Sequence, residues 1–145
     1  MPRLLTPQDI PRMIAIEAAT QASPWSEEIF QTCFTSSCDC WGIEVDDVLV
    51  GFIIVSFNTL TEGHILNFAV DPPFQHQGFG KQLLAKVLQE AQLHHVSKLW
   101  LEVRRSNQRA ISLYQQTGFL AISERKNYYA LPEGREDALV FLIEL

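Results

Sequence analysis

The amino-acid sequence predicts an α/β (α+β) fold, with a mixed central sheet of about seven strands and about four helices on its faces. The period of the apolar residues switches between helical and strand spacing along the chain. Glycines, prolines and short polar clusters separate these segments. The chain has 145 residues, of which 47% are apolar and 19% charged. This length and balance predict one globular domain over residues 1–145.

The charge balance narrows the classes of partner. Seventeen acidic and eleven basic side chains give a net charge of −6, so the surface field repels nucleic-acid phosphates and attracts cations. We expect no direct nucleic-acid partner and favour a basic peptide or a cationic small molecule. The longest apolar stretch, Val48 to Phe57, is too short to cross a bilayer, and no secretory signal is evident. We therefore expect no membrane association and a cytoplasmic protein.

The cysteines predict reduced thiols. The chain has three cysteines, Cys33, Cys38 and Cys40. An odd number does not fit a framework of paired disulfides. A zinc site would need more ligands at metal spacing than the four histidines supply. We therefore expect no metal.

The first third of the chain predicts a short strand and two helices. Arg3 to Leu5 is the strand, and Thr6-Pro7 offers a cap and a first-turn proline for the first helix. Ser23-Pro24-Trp25 ends that helix, and Ser26 caps a second one with two glutamates in its first turn. The apolar face of the first helix is predicted to contain Ile10, Met13, Ile14 and Ala18.

The middle of the chain predicts strands. Cys40 to Val45 and Val48 to Phe57 form an antiparallel hairpin around Asp46-Asp47. His64 to Val70 is the next strand, and Asp71-Pro72-Pro73 halts it.

The second half predicts two helices and three strands. A helix follows the glycines of Gly78 to Gly80, and Lys98 to Val103 is a strand. Asn107 caps the last helix and Gly118 ends it. Two strands complete the chain, roughly from Phe119 to Glu124 and from Ala138 to Leu145. Lys126 to Glu136 is predicted to be the loop between them.

One loop carries a chemical signal. Gln75-x-x-Gly78-x-Gly80 follows a strand and opens an amphipathic helix, which aims backbone N–H groups and a helix dipole at a pyrophosphate. A dinucleotide fingerprint would need a glycine where Leu83 stands, and a P-loop would need Ser or Thr where Gln82 stands. Taken alone, the glycines fit an ordinary strand-to-helix turn equally well.

Together with the preceding Ala69-Val70-Asp71-Pro72, this loop resembles the acetyl-CoA loop of the GCN5-related N-acetyltransferases (GNAT). The predicted order of elements agrees with that fold. Other segments resemble one branch, the RimI-type enzymes that acetylate the N-terminal alanine of a small-subunit ribosomal protein. These segments are Ser23 to Ser26, Asn67 to Pro72, Trp100 to Arg104, Ser106-Asn107, Leu113-Tyr114, Gly118-Phe119, Arg125 to Tyr129 and Gly134 to Ala138.

The resemblance implies acetyl-CoA as co-substrate and a basic ribosomal-protein N-terminus as acceptor. It also implies that Glu102 is the base and Tyr114 the acid. Arginine is common in relatives where His76 and Lys81 stand. The implied cofactor-binding residues are Phe68, Ala69, Val70, His76, Gln77, Gly78, Phe79, Gly80, Lys81 and Asn107. The candidate acceptor-binding residues are Trp25, Tyr128, Tyr129 and Arg135.

Each assignment has a structural alternative. Strand alternation puts Glu102 on the face opposite its apolar neighbours, where it would serve as a base or as an exposed glutamate paired with Arg104. The phenol of Tyr114 holds its proton at neutral pH and suits a thiolate leaving group, although the side chain would pack on its helix in any case. Asn107 is also an ordinary helix cap, and the Tyr128-Tyr129 pair fits simple packing as well as a peptide groove.

Other functions of the same fold remain open at this point. The acceptor would also fit another protein N-terminus, a lysine or a small amine, because the cofactor half is common to all of them. A non-catalytic module that binds CoA is a further alternative. No cysteine has a predicted histidine partner, so direct attack of the amine is favoured over an acyl-enzyme. The sequence leaves the oligomeric state open and is compatible with a monomer.

Overall fold

A seven-stranded mixed sheet forms the centre of the protein. The computed structural model describes residues 1–57, 60–131 and 134–145. The strands are β1 (Arg3–Leu4), β2 (Cys38–Val45), β3 (Val48–Ser56), β4 (Glu62–Val70), β5 (Lys98–Arg104), β6 (Leu120–Leu131) and β7 (Gly134–Glu144). The helices are α1 (Ile10–Thr20), α2 (Glu27–Thr35), α3 (Phe79–Leu93) and α4 (Gln108–Thr117), with short 3₁₀ turns at Pro7–Asp9 and Pro72–Phe74.

The strand order across the sheet is β1-β2-β3-β4-β5-β7-β6. Among the strands that the structure describes, β4 and β5 pair in parallel and the other neighbours are antiparallel. The predicted order of elements, the mixed sheet and the four helices are therefore confirmed. No helix of the described residues is long and apolar enough to span a membrane.

The capping and turn residues predicted from the sequence lie at the observed ends of the helices and in the observed turns. Ser26 caps α2 and Asn107 caps α4, each accepting a hydrogen bond from the backbone N–H three residues later. Gly118 ends α4 with a φ of 112°. Asp46 and Asp47 have φ values of 52° and 65°, which are the left-handed conformations that close a two-residue hairpin.

Both faces of the sheet carry a buried apolar layer. The α3 and α4 side contains Leu83, Leu84, Val87, Leu101, Val103, Ile111 and Phe141. The α1 and α2 side contains Met13, Ile16, Phe30, Phe52 and Ile54. On α1 the buried face differs from the predicted one, because Ile16 and Glu17 are buried whereas Ala18 is exposed. Helices α1 and α2 pack on β2, β3 and β4.

The predicted loop from Lys126 to Glu136 is wrong over most of its length. β6 continues through this segment and pairs with β7, with Tyr129 opposite Glu136. A register shift between Arg125 and Tyr129 marks a bulge, and Asn127 within it has a φ of 52°. The polar side chains resembled a loop because β6 is an edge strand whose residues are mostly exposed. Residues 132 and 133 lie outside the described residues.

β4 and β5 pair over only the first part of their length. Glu62 to Ile65 pair with Lys98 to Leu101, and no pairing follows. On its other edge β4 pairs Ile65 with Val55 and Asn67 with Ile54, so that Leu66 is an extra residue in the strand. Such a bulge bends a strand. The second half of β4 therefore departs from β5, and the site lies in the space between them.

Candidate functional site

The larger of two adjoining cavities lies between the end of β4 and the first turns of α3 and α4. Its volume is about 990 Å³. Every residue that the sequence assigned to the cofactor lines it except Gln77, whose side-chain amide donates to the Pro73 carbonyl. These residues are Phe68, Ala69, Val70, His76, Gly78, Phe79, Gly80, Lys81 and Asn107.

The start of α3 suits an anionic ligand. Gly78 precedes the helix with a φ of 86°, and no side chain caps the first turn. The N–H groups of that turn are therefore left for a ligand, and the helix dipole favours negative charge there. A Cβ at Gly78 would meet no atom within 4 Å, whereas one at Gly80 would lie 3.4 Å from Phe68 and Leu113. The missing side chain at Gly78 thus keeps the cavity open at the start of α3, which fits a diphosphate group, whereas a Cβ at Gly80 would make only ordinary van der Waals contacts.

Polar contacts hold the loop that precedes α3. The Gln75 side-chain amide donates to the Val70 carbonyl at 2.8 Å. Its oxygen accepts a hydrogen bond from the Arg109 guanidinium of α4. Arg109 and Gln75 also line the larger cavity. The loop is therefore fixed to both β4 and α4, and Arg109 is a cavity residue that the sequence analysis did not single out.

The smaller cavity, of about 230 Å³, occupies the gap between β4 and β5. It shares Gln21, Phe68, Arg104, Asn107 and Tyr114 with the larger cavity, so the two are neighbours across these residues. Its own lining residues include Glu17, Trp25, Leu66, Asn67, Glu102 and Tyr129. Two carboxylates, three aromatic rings and the buried phenol of Tyr114 thus surround a small space.

Glu102 lies on the β5 face that the alternation predicts. Its side chain is only 8% exposed and forms an ion pair with Arg125 of β6. The Tyr128 hydroxyl donates to the other carboxylate oxygen at 3.4 Å. The alternative partnership with Arg104 is wrong, because that side chain pairs with Glu136 instead. β5 is an interior strand between β4 and β7, so Glu102 is enclosed rather than exposed at an edge.

Tyr114 is buried on the inner face of α4. Its ring packs against the rings of Phe68, Phe119 and Phe141, and it also lines both cavities. Burial raises the pKa of the Tyr114 phenol, so the hydroxyl stays protonated at neutral pH. The sequence left a packing role and a site role for Tyr114 as alternatives. In the structure the Tyr114 side chain both packs in the core and lines the cavities.

Glu17 is a site residue that the sequence analysis missed. It is 1% exposed, and its carboxylate accepts hydrogen bonds from the Trp25 backbone N–H at 3.0 Å and the Asn67 amide at 2.9 Å. Burial raises the pKa of the Glu17 carboxyl despite these bonds. The available signal was its position, because Glu17 follows Ile10 and Met13 on the apolar stripe of α1.

The four residues predicted to bind the acceptor differ in whether they line the smaller cavity. Trp25 and Tyr129 line the smaller cavity, and Tyr128 contacts Glu102 from outside it. Arg135 is exposed and is not among the described residues that line either cavity. Its guanidinium donates to the Asn127 carbonyl at 2.8 Å, so it braces the bulge of β6.

The cysteines lie away from both cavities. Cys33 and Cys40 are buried free thiols, and Cys38 is half-buried. Burial raises the pKa of the Cys33 and Cys40 thiols to about 12, so neither is a thiolate at neutral pH. Within the described ranges, no group of three or more histidine, cysteine, aspartate and glutamate side chains has the geometry to hold a metal ion.

The N-terminus of α3 is open to a diphosphate and lies beside two parallel strands, β4 and β5, that diverge. This combination of features defines a class of acyltransferase. The sequence matches the model of the acetyltransferase (GNAT) family over residues 9–119. The chain belongs to this family, as the resemblance of its motifs indicated.

Known proteins similar to this chain share most of its length. It is 37% identical to the [ribosomal protein bS18]-alanine N-acetyltransferase of Salmonella typhimurium, over 98% of this chain and 95% of that protein. The crystal structure of the ribosomal-protein-S18-alanine N-acetyltransferase from Escherichia coli matches with a TM-score of 0.92 and 35% identity, covering 99% of this chain and 92% of that one. A GNAT family acetyltransferase from Elizabethkingia anophelis with acetyl-CoA bound matches with a TM-score of 0.82 and 25% identity, covering 100% and 97%.

The burial of Glu17 predicts a dependence of stability on pH. Because its pKa is raised in the folded state, Glu17 favours folding at low pH, and this contribution is lost as pH rises through the folded pKa. The free energy of unfolding of Glu17→Gln, relative to wild type, should therefore rise as the pH increases from about 4, near the pKa of an unfolded glutamate, through the raised pKa of the folded state. Urea unfolding across this range measures the difference, with Glu144→Gln on the exposed end of β7 as the control for the loss of charge. A difference that does not change with pH would contradict the prediction.

Proposed function

We propose that the protein transfers the acetyl group of acetyl-CoA to the N-terminal alanine amine of a ribosomal protein of the bS18 type. One observation carries the proposal: the gap between β4 and β5 places the carboxylate of Glu102 and the phenol of Tyr114 around a small cavity that adjoins the cofactor-sized one. The similarity to bS18-alanine N-acetyltransferases over nearly the whole chain supports the choice of acceptor.

The residues of the larger cavity fit acetyl-CoA, which supplies an acyl group activated as a thioester. The backbone N–H groups of His76 to Lys81 would hold the diphosphate, where the uncapped start of α3 favours negative charge. Phe68 to Val70, which line the cavity where β4 has left β5, would lie beside the pantetheine and acetyl groups. Asn107 caps α4 with its side chain and also lines the same cavity. It would therefore contact the co-substrate as well.

Glu102 would act as the base. An α-amino group has a reference pKa of about 7.7 to 8.0, so only a minority is neutral at pH 7. The acceptor amine must lose a proton before its lone pair is free to attack the thioester carbonyl. The enclosed Glu102 carboxylate lines the smaller cavity and would accept that proton directly or through a water molecule.

Tyr114 would act as the acid. Its hydroxyl keeps its proton because burial raises the phenol pKa, and the side chain lies between the two cavities. It would donate a proton to the sulfur that leaves when the C–S bond breaks. None of the three cysteines lines either cavity, so the amine would attack the thioester directly, without an acyl-enzyme.

The acceptor side combines small volume with negative charge. The smaller cavity contains both Glu17 and Glu102, and the chain has a net charge of −6. Both features favour a small first residue that bears an ammonium group on a basic protein. The rings of Trp25 and Tyr129 would hold that residue.

Binding of acetyl-CoA should stabilise the fold without added metal. At a hundredfold excess over Kd the gain is about 2.7 kcal/mol, measured as a shift of the thermal melting temperature. Gly78→Val should remove most of that shift, because its side chain would extend into the cavity. Gly118→Val is the matched control, since Gly118 also has a positive φ but ends α4 outside both linings. Equal shifts in the two variants would argue against the assigned diphosphate site.

Glu102→Gln should lower turnover of a peptide that begins with alanine by roughly a hundred- to ten-thousandfold, the range for loss of a general base. Affinity for acetyl-CoA should stay near that of wild type. The loss should shrink as pH rises, because more of the amine is then neutral. Glu124→Gln on the exposed part of β6 is the control for charge. Full activity of Glu102→Gln at pH 7 would rule out this role.

The acceptor should be an α-amine on a basic chain. Purified small-subunit ribosomal proteins incubated with acetyl-CoA should gain one acetyl group at an N-terminal alanine, detected by intact-mass analysis. A blocked α-amine should abolish transfer even where lysines remain. The kcat/KM for a basic peptide should fall as salt rises above about 0.1 M, where the Debye length is about 10 Å, while that for a neutral peptide changes little. Preferential acetylation of an internal lysine or a polyamine would contradict the alanine assignment.

A further inference from the structure

A histidine that the mechanism above does not use lies beside the proposed base. His64 of β4 pairs in register with Trp100 of β5, just before the two strands part. The two rings stack with centroids 3.6 Å apart and planes 6° from parallel. The stacking fixes the plane of the imidazole, and its Nε2 lies 3.7 Å from Oε1 of Glu102.

The other neighbours of the Glu102 carboxylate cannot serve as bases at neutral pH. Arg125 is always protonated, and Tyr128 donates its hydroxyl proton to Glu102. A neutral imidazole has a free nitrogen lone pair, and burial lowers the pKa of His64 and so favours this neutral form. The charged groups that act on His64 are Glu102 from β5 and Arg125 from β6, while its β3 partner Ser56 carries no charge.

His64 also has the better access to water. Its side chain is 26% exposed, against 8% for Glu102. His64 is not among the described residues that line the smaller cavity, whereas Glu102 is. When acceptor and co-substrate fill the cavities, Glu102 therefore keeps a second side that faces His64. The 3.7 Å separation exceeds a hydrogen bond, and one bridging water or a small side-chain movement would close it.

We propose that His64 is a positioning residue that takes from Glu102 the proton given up by the acceptor ammonium and passes it to solvent. This inference rests on the proposed function. The ammonium loses one proton to the Glu102 carboxylate, and the protonated carboxyl gives it to the neutral His64 imidazole, whose imidazolium then releases it to water. The freed amine forms the C–N bond as the C–S bond breaks, and its second proton reaches the thiolate by way of Tyr114.

The direction of transfer agrees with ordinary acidities. An imidazole is a stronger base than a carboxylate in model peptides, so transfer from a protonated carboxyl to a neutral imidazole follows the ordinary order of acidities. Below the pKa of His64 the imidazole is already protonated and cannot take the proton. As the pH falls, protonation of the acceptor amine and protonation of His64 should both lower the wild-type kcat/KM. In a variant without His64, only the decrease caused by protonation of the amine should remain.

Two variants test the relay in the full chain. His64→Gln keeps a polar side chain that cannot carry a proton, and His64→Ala leaves a space for added imidazole. Both should lower kcat/KM for an alanine-initiated peptide about tenfold at pH 7, which is less than the roughly hundred- to ten-thousandfold loss typical of removing the general base itself. Both should leave KM for acetyl-CoA unchanged and lose the additional fall of kcat/KM at acid pH. Imidazole should restore His64→Ala in proportion to its neutral form, which a purely structural role would not produce.

His94 offers a matched control. It also stacks on an aromatic ring, that of Phe57 at 4.4 Å, and lies 3.8 Å from a carboxylate, that of Asp39. It lines neither cavity in the part of the chain that the structure describes. His94→Ala should keep its activity and pH profile and gain nothing from imidazole. An unchanged pH profile in His64→Gln, or equal effects of imidazole on the two alanine variants, would overturn the relay.

A further measurement separates this inference from the proposed acceptor. The coupling between His64 and Glu102 is observable by NMR titration of the imidazole, without any acceptor. Glu102→Gln should lower the pKa of His64, because the favourable carboxylate charge is lost. If wild type acetylates no alanine peptide but this shift occurs, the acceptor assignment fails and the coupled pair remains. If the shift is absent, the relay fails even when alanine is acetylated.

Discussion

The end of pairing between β4 and β5 after Ile65 and Leu101 is the constraint on which the site depends. Two parallel strands that stayed paired would have no space between them for a ligand. The bulge at Leu66 lets β4 keep its bonds to β3 while it leaves β5. Phe68 to Val70 then lie along one cavity and Glu102 along the other. The backbone therefore creates the site, and the side chains set its chemistry.

The two carboxylates of the smaller cavity differ because their neighbours differ. Glu17 is buried among neutral donors, the Trp25 N–H and the Asn67 amide, so burial dominates and raises its pKa. Glu102 has a cation, Arg125, and two further polar groups at its carboxylate. The first holds the α1–α2 junction against β4 through these hydrogen bonds, and the second is the residue for which we propose the role of base.

Local features of the structure could be predicted from the sequence because their causes are local. Ser26 and Asn107 cap helices through their own side chains, and the Asp46-Asp47 turn needs only two residues that tolerate positive φ. The alternation in β5 likewise put Glu102 opposite its apolar neighbours. The segment from Lys126 to Glu136 was predicted wrongly, because an exposed edge strand with a bulge has no apolar alternation to reveal it.

The sequence by itself determined the order of elements, the helix ends, the glycine-containing loop before α3 and the membership of an acetyltransferase family. Only the tertiary structure decided which groups surround the carboxylate of Glu102. Arg125 and His64 are 23 and 38 residues away along the chain and reach it from different strands. Glu17 reaches Asn67 from a helix. Such contacts depend on strand register and helix packing, which are set by interactions across the whole sheet rather than by any local run of residues.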